Sequence, residues 1–107
     1  MLYKFKSKAA GDVIMLEENA EQVLRILGRE PAAKGILEVA AMPAAVAAIE
    51  AAVEEEEQAR READAEATTE GRKLPVRNAV TLRQRAWPLL EMIRRSQQAG
   101  EDIVWGV

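Results

Sequence analysis

Three of the four aromatic side chains in this 107-residue chain lie at its extremities: Tyr3 and Phe5 in "LYKFKSK", and Trp105 in "EDIVWGV". Chain ends fray unless they are tied down, so a fold that uses these rings must hold both ends. Tyr3 and Phe5 alternate with Lys4 and Lys6, the period-two signature of a half-buried strand, and the lysines suit an edge exposed to water. Ile103, Trp105 and Val107 alternate with Val104 and Gly106, which gives a second strand with one strongly apolar face. Pairing the two gathers three aromatics into one cluster, where each cross-strand contact contributes roughly 0.2–1 kcal/mol. Gly106 lets the backbone approach closely. Two strands alone are marginal, so the free edges invite a second copy, extending the sheet to four strands across a homodimer.

Helical patterns fill the interval. From Asp12 to Leu27, the residues Val13, Leu16, Ala20, Val23, Leu24 and Leu27 fall on one stripe at 100° per residue, the pattern of a core-facing helix. The run "VIML" reads alternatively as a strand in a hairpin with the first, turning through "KAAGD". A helix start at Asn19, with Gln22 as its capping-box partner, is a further alternative. Gly28 and Pro31 stop the helix. A loop containing "PAAKG" leads to Met42 and Pro43, where an alanine-rich helix begins with Val46, Ile49 and Val53 at helical spacing. Beyond Val53 the same face receives glutamates, so residues 54–78 read as a projecting acidic helix followed by the linker "GRKLPVRN". The pairs Glu56–Arg60 and Glu57–Arg61 support the extension. The last helix starts at Thr81, capped with Gln84, carries Leu82, Ala86, Leu89 and Ile93 as its stripe, and ends at Gly100. Pro88 lies inside it and predicts a kink. Trp87 points about 120° from the stripe centre, so it needs cover from another element or another molecule. The pattern is a single small α+β domain over 1–107, mainly helical, with three or four helices and terminal strands paired in a small sheet.

Composition removes whole classes of chemistry. The chain has no cysteine, hence no disulfide or thiolate chemistry, and no histidine, the usual proton-transfer group near neutral pH. Zinc sites built from these two residues are thereby excluded. Ser7, Ser96, Thr68, Thr69 and Thr81 have no activating partner at motif spacing and read as caps or surface residues. The "LEEN" stretch, Glu17 to Asn19 after Leu16, is a conceivable cation fragment that helix-start chemistry explains better. The glycines are isolated, without a phosphate-cradling loop. No enzyme activity, cofactor or metal is expected. No segment approaches the roughly 20 apolar residues of a membrane helix, and the cytoplasm is the simplest location.

The blocks "MLYKFKSKAAGDVIMLEENAEQVLRILG" and "LRQRAWPLLEMIRRSQQAGEDIVWGV" resemble the short bacterial proteins grouped as domain of unknown function family eighteen-forty. "RAWPLLEM", followed by a glycine turn and "VWG", carries the likeness. The resemblance implies a proteobacterial, cytosolic protein without assigned activity or catalytic residues.

Two function classes follow. Aromatics make up 4% of residues, so the core is built mainly from aliphatic side chains and is thin. That favours a structural or protein-interaction module that can pair as a homodimer, with Tyr3, Phe5, Trp87, Ile103, Trp105 and Val107 as interface candidates. The alternative is a binder of nucleic acid or another acidic partner. Residues 50–70 hold nine acids against two arginines, and residues 71–95 hold seven bases against one acid. Arg83, Arg85, Arg94 and Arg95 around Trp87 have the chemistry for phosphate contact and base stacking. By angular count Arg83 and Arg94 share a direction that Arg85 and Arg95 do not. Equally, the two charged segments can attract one another within the fold.

Overall fold

The computed structural model describes residues 2–69, 71 and 81–106, with backbone alone at 68 and 69. The elements run β1 (Leu2–Ser7), β2 (Ala10–Leu16), α1 (Glu17–Ile26), β3 (Gly35–Leu37), a 3-10 turn (Val39–Ala41), α2 (Met42–Thr69), α3 (Leu82–Ala99) and β4 (Ile103–Trp105). The fold is α+β and mainly helical, with the terminal strands paired. β1 and β4 lie antiparallel with Phe5 opposite Trp105, in a four-stranded sheet of order β2-β1-β4-β3.

The aromatic cluster forms as the alternation requires. The rings of Phe5 and Trp105 lie 5.6 Å apart and those of Tyr3 and Phe5 6.2 Å apart. The indole N–H of Trp105 donates to the carbonyl of Ala32 at 3.0 Å. Gly106 has φ +76, and a Cβ there would fall 2.0 Å from the Ala33 oxygen, so only glycine allows this approach.

The helices cover one face of the sheet. Phe5, Met15, Leu37, Ile103 and Trp105 from the strands pack with Val23 and Leu24 of α1, Met42, Ile49 and Val53 of α2, and Leu89, Met92 and Ile93 of α3. Full burial of each such aliphatic side chain contributes roughly 1.5–3 kcal/mol. Alanine gives α2 its high intrinsic helicity, and the small Ala45 and Ala86 are themselves buried in the core. Helix α3 is bounded as its sequence indicates. Thr81 forms the capping box with Gln84, and Gly100 closes the helix in the left-handed conformation. Pro88 lies inside α3, on its exposed side.

Several expectations need correction. Val13 to Leu16 are strand, and α1 begins at Glu17 with Asn19 inside it. The segment is apolar on both sides: Val13 and Met15 face the core, while Ile14 and Leu16 face out, so it also satisfies a helical stripe. What settles the conformation is the tertiary partner β1, paired from Leu2↔Leu16 to Ser7↔Ala10. β1 is consequently central, and Lys4 lies on the sheet's open face instead of at an edge. The chain supplies its own four strands, because β3 pairs with β4, so the terminal strands need no second copy to complete the sheet. Phe5, Ile103 and Trp105 are buried in the chain's own core and cannot form an interface in this fold. Val107, Thr68 and Thr69 as side chains, and the linker beyond Gly71, lie outside the described residues.

Candidate interaction surfaces

The opposite charges of α2 and α3 meet. Arg83 pairs with Glu57 at 2.6 Å, Arg85 reaches Glu56 at 3.9 Å, and Arg94 pairs with Glu50 and, at 3.7 Å, with Glu91. Glu56 also accepts a hydrogen bond from the backbone N–H of Leu82 at 3.0 Å, placing a carboxylate at the amino end of α3, where the helix dipole favours it. The first turn of the segment expected to project is therefore in contact with α3. Hydrogen bonding to Arg83 holds the Glu57 carboxyl below its ordinary range, and the same bond raises Arg83.

Trp87 is 46% exposed. The guanidinium of Arg94 lies 5.8 Å from its ring centroid, within cation–π range. Beside them a groove of about 220 Å3 runs between α2 and α3, floored by Ile49, Val53, Ala86 and Leu90. Arg83 and Arg94 both line it, as the angular count requires. Arg95 belongs to a different hollow, with Ala10 and Pro88. The four arginines thus form no common cradle.

A second surface is the sheet face away from the helices. The register places Leu2 opposite Leu16, Lys4 opposite Ile14, and Val104 between Lys6 and Ile36 on this side. Leu2 is 60%, Ile14 58%, Leu16 62% and Ile36 40% exposed. Lys4 and Asp12 pair across it at 3.5 Å. At one corner Lys6, Lys8, Ile36, Glu101, Asp102 and Val104 line a hollow of about 380 Å3.

The hydroxyl candidates have structural employment. Ser96 is fully buried and shares a 2.7 Å hydrogen bond with Ser7. Thr81 caps α3. The Tyr3 phenol is raised above its ordinary value by desolvation and then by Glu21 and Glu17; it sits in a cleft with Arg25, which is already paired to Glu21 at 3.3 Å. Among the described residues no group of three acidic residues is arranged to hold a metal ion.

A family model described as a domain of unknown function, DUF1840, matches residues 1–105. The chain belongs to the DUF1840 family. The match runs through the acidic helix as well as the terminal blocks. No curated protein and no solved structure matches the chain. In this DUF1840 chain no described helix is long and apolar enough to cross a membrane.

The residues that sequence reasoning missed in the DUF1840 chain are the outward-facing aliphatics Leu2, Ile14, Leu16 and Ile36. The available signal was "VIML" read as a strand. Once Val13 and Met15 are assigned to the core, period two sends Ile14 and Leu16 to the other face.

Proposed function

We propose that this protein is a non-enzymatic interaction module of the bacterial cytoplasm that binds a protein partner on the open face of its sheet. The observation that carries this reading is the set of four large aliphatic side chains exposed together on that face. A half-covered antiparallel sheet ordinarily turns polar residues outward, whereas here Leu2, Ile14 and Leu16 cluster at one end of the face and Ile36 stands at the other, with Lys4 and Lys6 between them; exposed apolar surface of this kind marks an interaction site. The lack of histidine and cysteine, with Ser7, Ser96 and Thr81 engaged structurally, supports a role without catalysis. Binding of nucleic acid through α3 fits less well, because Arg83, Arg85 and Arg94 are each matched by glutamates of α2.

A photo-crosslinking amino acid at position 14, introduced into the full chain in cells, tests this. Covalent adducts to protein at position 14, and none from a probe at exposed Glu55, support the reading. No adduct at position 14 would overturn it.

A further inference from the structure

We infer that the partner on the open sheet face is a second copy of this chain, docked face to face about a twofold axis. The inference rests on the interaction reading above and adds the occupant. Three features of the face make it complementary to itself.

The first is shape. Leu2 and Leu16 stand opposite one another at one end of the β1–β2 pair, well exposed, and form an apolar ridge. The hollow walled by Ile36 and Val104 lies at the other end, towards β3. A twofold axis in the plane between two such faces, set across the line from ridge to hollow, places each ridge on the other copy's hollow. Each contact then occurs twice, as closed symmetry requires.

The second is charge. The face and its hollow carry Lys4, Lys6 and Lys8 with Asp12, Glu101 and Asp102, three of each sign. A chain of net charge −3 therefore presents a patch with no formal net charge. Identical copies approaching by this patch meet no net repulsion, whereas the acidic outer turns of α2 would repel their own image.

The third is extent. Strands spaced about 4.8 Å apart, the longest near 20 Å, give a projected face of roughly 300–400 Å2. Stable complexes bury about 800 Å2 per partner. A face this small makes the dimer weak and concentration-dependent. This is a face-to-face sheet packing, not the edge extension that the terminal strands alone invite.

Sedimentation equilibrium of the full chain from about 10 µM to 1 mM, the range of weak association, tests the inference. The expected result is a monomer–dimer equilibrium that Leu16→Asp on the ridge and Ile36→Asp at the hollow each weaken at least about tenfold, the usual scale for a central contact. Circular dichroism should show both variants folded, since both side chains already face water. Trp87→Ala on α3 should leave the equilibrium unchanged. A monomer at every concentration, or a dimer lost in Trp87→Ala and kept in Leu16→Asp, would overturn the inference. If the chain is monomeric while the position-14 probe still captures a different protein, the second copy is the wrong occupant and the interaction reading stands; if neither occurs, both fail.

Discussion

The indole of Trp105 lies against Gly35 so closely that a Cβ at residue 35 would fall 2.0 Å from its Cζ2. The ring cannot easily yield, because its N–H is bonded to Ala32 and it packs in a tilted arrangement against Phe5. Gly35→Ala is therefore expected to destabilise the fold by about 1–3 kcal/mol, the usual cost of overpacking. Urea unfolding measures the loss, and a red shift of tryptophan emission in a Trp87→Phe background reports displacement of the indole. An unchanged midpoint with unchanged emission would show that the two residues are not in contact.

The two tryptophans should behave oppositely. Trp105 is buried, so Trp105→Ala should cost about 3–5 kcal/mol. Trp87 is half exposed, and Trp87→Ala should cost less than about 1 kcal/mol. Acrylamide quenching of the native protein should reach Trp87 and leave Trp105 largely protected; equal quenching of both would contradict the burial described here.

The acidic turn divides into residues that matter and residues that do not. Glu56 serves the amino end of α3 through Leu82, so Glu56→Ala should cost about 1 kcal/mol, like the loss of a helix cap. Glu54→Gln and Glu55→Gln should stay within about 0.5 kcal/mol. Glu57 adds a pH signature. Its carboxyl is lowered by Arg83 from an ordinary value of 4.5, so its contribution is complete above that value and declines as pH falls through the lower folded value. Glu57→Gln should flatten that limb of the stability–pH profile measured by denaturant unfolding, and an unaltered limb would show the pair to be energetically silent.

Local chemistry made part of this architecture readable in advance. The Thr81–Gln84 capping box, the Gly100 stop and the pairing of the ends through Phe5 and Trp105 each depend on residues close in sequence or on strong alternation. β3 was not readable, because a three-residue strand in a glycine-containing loop has no period of its own and exists through its pairing with β4. Val13 to Leu16 were ambiguous for a different reason: a strand that is apolar on both faces satisfies helical and strand periodicity together. That ambiguity also hid the open face, since Leu16 sits on the core stripe of a helix and turns to water only once β1 fixes its direction. The meeting of Arg83 with Glu57 was legible as a charge imbalance between neighbouring segments, while its geometry required the packing of α2 on α3.

The central claim is that a second copy of this molecule docks on the open sheet face, and concentration-dependent amide chemical shifts in a two-dimensional NMR spectrum test it most directly. On raising the full chain from about 20 µM to 1 mM, the range of weak association, the moving resonances are expected to cluster at Leu2, Ile14, Leu16, Ile36 and Val104. Those of Arg83, Trp87 and Arg94 should stay fixed. Shifts confined to α3 and α2, or none anywhere in that range, would contradict it.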